Sequence, residues 1–123
     1  MTAQEKRELN EWLATEVMGW YCNDGLWWRN TEHKIVMAFD SWNPYHNIYQ
    51  CLEYLAPKMR EKNYQLILND TGSQWRCAFS TWEKIFNGKS PNKLFLFADT
   101  PEAAICLAVK RAWEKYIVEI TQC

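Results

Sequence analysis

The sequence predicts an α+β fold, a layered α/β sandwich in which an antiparallel sheet of about four to five strands is packed by three main helices. Three observations carry this. Apolar residues recur at helical spacing in three capped segments, they alternate with polar ones in others, and Asn, Asp, Gly and Pro punctuate the joints between them. The 123 residues are of a length that forms one domain, residues 1–123.

Thr2 followed by Glu5 forms a capping box, and Leu9, Trp12, Leu13 and Val17 then recur along one helical face, opposite Lys6, Glu8, Glu11 and Thr15. The helix is expected to end near Gly19. "GWYCNDGLWWR" reads as strand, Asn-Asp-Gly turn and strand, and "HKIVMAF" continues in extended form. Asn43 is expected to cap a second helix with Pro44 in its first position, and Ile48, Cys51, Leu52, Leu55 and Met59 form its apolar face. Pro57, lacking an amide donor, is expected to bend or interrupt it.

"YQLILNDTGSQWRCAFS" is the clearest hairpin, with Trp75, Cys77 and Phe79 alternating with Arg76, Ala78 and Ser80, so that one face is core. "TWEKIFNGKSPN" reads as a loop with a short helical turn. "KLFLFAD" is apolar on both faces, which predicts a central strand. Thr100 caps and Pro101 opens the last helix, whose apolar stripe holds Ile105, Ala108, Val109, Ala112 and Tyr116.

Fourteen basic and fifteen acidic residues leave a net charge of −1 without a long run of either sign, which weakens both a phosphate-binding surface and a carboxylate-rich mimic of DNA. Five cysteines, Cys22, Cys51, Cys77, Cys106 and Cys123, are odd in number and widely spaced, as in reduced cytosolic proteins. The polar N-terminus and the lack of an apolar run of about 20 residues predict a cytoplasmic protein without a membrane span. Gly88-Lys89-Ser90 resembles the tail of a phosphate loop, but Glu83 stands where its first glycine is required. No close Cys or His pairs have zinc spacing, so neither a metal nor another cofactor is expected.

The eight tryptophans are the unusual feature. Trp12, Trp75 and Phe79 fit core positions, whereas Trp27 and Trp28, adjacent on a strand, point to opposite faces. Trp42, Tyr45 and Tyr49 follow at three- and four-residue spacing. Such side chains combine apolar area with a polar tip and anchor protein interfaces, so Trp27, Trp28, Trp42, Tyr45 and Tyr49 form the candidate partner-binding set. A nucleic-acid face would draw on Arg29, Arg76, Lys110, Arg111 and Lys115, with Trp113 for stacking. Asp40 and His46 are the residues around which an unfamiliar acid/base site would form. Asp24, Glu32, Glu53 and Glu83 form no catalytic pattern, and His33 is the second histidine.

Met18-Gly19-Trp20, Trp42-Asn43-Pro44 and "TPEAAICLA" (100–108), in this order and with a tryptophan-bearing hairpin between the first two, resemble the phage ABA sandwich domain family. Tyr45, His46 and Asn47 depart from the small hydroxyl and acidic residues that often follow the Trp-x-Pro of that family. The resemblance implies a phage or prophage accessory protein in the bacterial cytosol, with no established chemistry. It leads to the expectation of a non-enzymatic protein that binds a host or phage protein, with inhibition of a defence system, including an anti-CRISPR role, as the concrete form. Self-association as a homodimer, nucleic-acid or nucleotide binding, and, behind these, an enzyme with an unrecognised site around Asp40 and His46 are the alternatives.

Overall fold

The computed structural model describes residues 1–81 and 95–121, with side chains to residue 115. Helix α1 (Ala3–Trp12) starts at the expected capping box: the Glu5 amide donates to Thr2 Oγ1 and the Thr2 amide to the Glu5 carboxylate. It passes into a π-helical turn (Leu13–Val17) and stops before Gly19, whose φ of 72° lies in the left-handed region. Leu9, Leu13, Ala14 and Val17 are buried on its inner face.

Strands β1 (Trp27–Arg29) and β2 (Ile35–Ala38) pair antiparallel across a turn at residues 30–34, with a register shift between Trp28 and Arg29. This corrects the expected first hairpin. Only Tyr21 of the 20–22 segment bridges to Arg29, exchanging both backbone hydrogen bonds, while the Asn-Asp-Gly turn leads into β1. The Asp24 carboxylate accepts the Leu26 and Trp27 amides, and these bonds hold its pKa below the ordinary carboxylate value.

The start of the second helical run is also corrected. Pro44–His46 forms a 3₁₀ turn, and Asn47 rather than Asn43 is the cap, accepting the Tyr49 and Gln50 amides. Helix α2 (Ile48–Gln50) continues through a π-helical turn (Cys51–Leu55) into α3 (Ala56–Glu61). Pro57 sits in the first turn of α3, and the wider π turn before it lets the chain continue helically without its missing amide bond.

Strands β3 (Tyr64–Asp70), β4 (Trp75–Thr81) and β5 (Leu96–Ala98) form a second antiparallel sheet in the order β3-β4-β5. The α+β class therefore holds, but the five described strands divide between two sheets rather than joining in one. Both edges of β4 are used by its neighbours, and the outer edge of β1 is taken by Tyr21. The β3–β4 hairpin is as expected. Its centre of burial is not: β4 is the middle strand, with Cys77, Ala78, Phe79 and Ser80 all buried, so both of its faces are covered at that end. Strand β5, expected to be central, is outermost among the described strands and leaves Phe97 exposed.

Helix α4 (Pro101–Thr121) begins where Thr100 Oγ1 accepts the Ala103 amide, and packs on β4 and β5. Ala104, Ile105, Cys106, Ala108 and Val109 are buried there, while the side chain of Tyr116 lies outside the described set. Gly88-Lys89-Ser90, Glu83, Cys123 and the expected short helical turn at 81–92 also lie outside it, Thr81 apart. No helix among the described residues is long and apolar enough to cross a membrane.

Candidate functional site

Asn10 organises the region where α1 meets the 39–46 segment. It lies on the same helical face as Leu13 and Val17, and all its polar groups that face inward are used. Its backbone oxygen accepts Trp42 Nε1–H at 2.7 Å, its Oδ1 accepts the Tyr45 amide at 3.1 Å, and its Nδ2 donates to Asn43 Oδ1 at 2.9 Å. Gln50 completes the clasp by accepting the Asn43 amide and donating to the Ser41 carbonyl. Trp42 also meets Trp20 edge-on at 4.9 Å, and both meet Tyr54. Trp42-Asn43-Pro44 is thus a structural joint.

Beside this joint a cleft of about 350 Å³ opens between α1 and residues 39–46. Trp28 and Phe39, stacked with ring centroids 5.1 Å apart, and Trp42 supply its aromatic lining. Lys6, Arg7 and Glu11 line it from α1, and Asp40, Asn43 and His46 line it from the opposite wall. Lys6 Nζ stands 5.3 Å from the centre of the Tyr45 ring. Trp28 Nε1 is buried without a hydrogen-bond partner among the described residues. An unmade bond of this kind costs about 1–3 kcal/mol.

Comparison with family models, with curated proteins and with solved structures gives no match. The site therefore has to be read from its own chemistry.

The two paired tryptophans separate as strand alternation requires. Trp28 is 3% exposed and Trp27 40%. Ile35, 52% exposed, and Leu26, 63% exposed just before the strand, are the other exposed large apolar residues of the hairpin. The register pairs Arg29 with Ile35, which places Ile35 on the Trp27 side of the ribbon. Trp42, expected on the surface with them, is buried because its indole N–H is committed to Asn10. Tyr45 is half-buried, and burial raises its phenol pKa. Tyr49 is 77% exposed, on the outer side of α2.

The basic candidates are scattered and engaged. Arg29 Nη1 donates to the His33 carbonyl, Arg76 Nε donates to Asn69 and its guanidinium lies over Phe95, and Lys110 pairs with Glu114 and lies over Trp12. Arg111 and Lys115 are exposed on α4, and Lys62 lies over Trp113. They do not form one stripe with exposed stacking rings. Asp40 and His46 do line the same cleft, but no hydrogen bond joins them among the described residues. Tyr21 Oη meets His33 Nδ1 at 2.6 Å, away from that cleft's lining.

The sequence pattern did not single out Lys6, Arg7, Asn10 or Phe39. Asn10 had a usable signal, a polar residue at positions i−3 and i−7 from buried Leu13 and Val17, which marks an amide that must find partners inside.

Cys51 and Cys106, buried on facing helices, bring their Sγ atoms to 3.8 Å, and Cys51 also donates to the Pro44 carbonyl. Burial pushes the Cys77 thiol up to about 12. Because the folded pKa lies above the unfolded one, its contribution to stability is complete below pH about 9 and is lost as pH rises toward 12. We expect thiol titration of the native protein at pH 8 to label half-buried Cys22 ahead of Cys51, Cys77 and Cys106, and unfolding to release all three. Rapid native labelling of Cys77 would contradict its burial.

Proposed function

We propose that this protein is a phage or prophage accessory protein that works in the host cytosol by binding another protein, without catalysis. The observation that carries the binding part of the reading is the exposed Trp27 with Ile35 on the same side of the β1–β2 hairpin. An exposed tryptophan beside an aliphatic side chain has the character of an interface anchor. The hairpin holds it without internal need for its ring, since its neighbour Trp28 already fills the core side.

The phage setting and the role against host defence, including an anti-CRISPR role, rest on the resemblance in the three tryptophan- and proline-bearing segments. Tyr49, on a different element, is a second contact of the same kind.

Affinity purification from a bacterial lysate, followed by titration of the recovered partner, tests this. Trp27→Ala is expected to weaken the complex by roughly 30-fold, the effect of a hot-spot aromatic. An unchanged affinity would remove Trp27 from the interface. Sedimentation of the purified chain separates the other occupant, a second copy: a dimer dissociated by Trp27→Ala assigns the face to self-association.

A further inference from the structure

The sheet β3-β4-β5 ends on β3, whose seven residues form the longest strand with an open edge among those described. We propose that this edge pairs antiparallel with the same edge of a second copy of the chain, across a two-fold axis at Ile67, joining the two sheets into one.

The backbone is set for it. In the turn that closes the hairpin, the Thr71 amide donates to the Gln74 carbonyl. Antiparallel alternation from that bonded pair turns the N–H and C=O groups of Leu66, Leu68 and Asp70 away from β4, toward the open edge. They have no backbone partner there among the described residues. Protein edges are commonly blunted by lysine, proline or a bulge. This strand has none of these: its register with β4 runs from Tyr64 to Asp70 without a shift, and Asp70 is its only charged residue. The β1–β2 ladder, by contrast, carries a register shift.

The strand's own symmetry names the occupant. "YQLILND" is close to a chemical palindrome about Ile67. Pairing on that axis sets Leu66 against Leu68, Gln65 against Asn69, and Ile67 against itself. Leu66 and Leu68, whose backbone groups face outward, then exchange the hydrogen bonds, while Ile67 falls at a non-bonded position, where side chains approach most closely. Asn69 Oδ1 accepts Arg76 Nε, which leaves Nδ2 to donate to Gln65 of the second copy. The two Asp70 carboxylates lie at opposite ends of the paired strands, so no like charges face each other. Leu66 and Leu68 are half-buried against the apolar core, and pairing extends that layer across the axis. A net charge of −1 per chain sets up little repulsion between copies.

The test is sedimentation equilibrium of the full chain from micromolar to millimolar concentration, with amide hydrogen exchange followed residue by residue. A monomer–dimer equilibrium is expected, in which the Leu66 and Leu68 amides gain protection as concentration rises while the Ile67 amide, turned toward β4, does not. Ile67→Lys sets two ammonium groups against each other at the axis and is expected to weaken the dimer at least about tenfold. Two double variants retain Ile67 and read the register. Gln65→Lys with Asn69→Asp places opposite charges across the interface and is expected to dimerise at least as tightly as the parent. Gln65→Glu with Asn69→Asp places like charges there and is expected to be about tenfold weaker. Position 69 changes identically in both and lies beside Arg76 of its own chain, so their difference reports the neighbour across the axis.

A chain that stays monomeric at millimolar concentration overturns the proposal. So does a dimer in which the two double variants associate equally well. Protection of Leu66 and Leu68 that arises only on adding a captured protein assigns the edge to a foreign strand and overturns it too. Trp27 lies on the other sheet, and this proposal does not rest on the role given to it. Trp27→Ala is expected to leave the dimer intact, so failure of the partner-binding face and failure of this edge are read separately; a dimer split by Trp27→Ala would move self-association to the hairpin.

Discussion

Leu55→Ala is expected to cost about 2–5 kcal/mol of folding stability, the range for emptying a leucine-sized space in a closed core. Leu55 is fully buried at the end of the π-helical turn, in the same apolar cluster as Met59, Val109 and Leu13. That turn is wider than an α-helix and is followed at once by Pro57, so its backbone has little freedom to move inward and fill the space. Domains of this size are stable by only about 5–15 kcal/mol, so the loss is a large share of the total. Leu52, one turn earlier and exposed, is the control, and Leu52→Ala should stay within about 0.5 kcal/mol. Urea unfolding with an unchanged m-value measures both. Equal effects at the two positions would mean that this helical run is seated on its other face.

The second large effect is expected at Asn10. Asn10→Ala removes the acceptor of the Tyr45 amide and the partner of Asn43, while the backbone oxygen that holds Trp42 remains. Two partly buried groups lose a protein partner, at roughly 1–2 kcal/mol each, for a total of about 2–4 kcal/mol. Asn43→Ala removes one of those side-chain bonds and is expected to cost about 1 kcal/mol. The two changes share a bond, so the double variant should be more stable than the sum of the single losses predicts. Strict additivity would show that the side-chain bond contributes nothing. Loss of the clasp also loosens the wall that carries Asp40, Asn43 and His46.

Much of the local structure was legible in the chain. Thr2 and Glu5, Thr100 and Pro101, and the β3–β4 hairpin around Asp70 and Gly72 lie where expected, because each depends on bonds made within a few residues. The second helix start was misplaced for a physical reason. Asn43 and Asn47 both have cap chemistry, and the choice went to Asn47 because Asn43 is drawn away by Asn10 and Gln50, the first of these 33 residues distant. Strand β5 misled for a similar reason: its apolar composition suits a covered strand, but coverage depends on which strand has two neighbours, and that strand is β4.

The sequence by itself determined the α+β class, the caps and turns, the near-neutral charge, and the fact that Trp27 and Trp28 must face opposite ways. These follow from local hydrogen bonding, steric limits and periodicity. Only the tertiary structure decided that Trp28 is the inner ring and Trp27 the outer one, since the choice rests on Phe39 stacking beneath Trp28 from another element. It likewise decided that Trp42 is a buried strut and that Lys6, Arg7 and Asp40 share one cleft. Contacts between side chains of separate elements, such as Trp28 with Phe39 and Trp42 with Asn10, leave no periodic trace along the chain, and become defined only when those elements pack together.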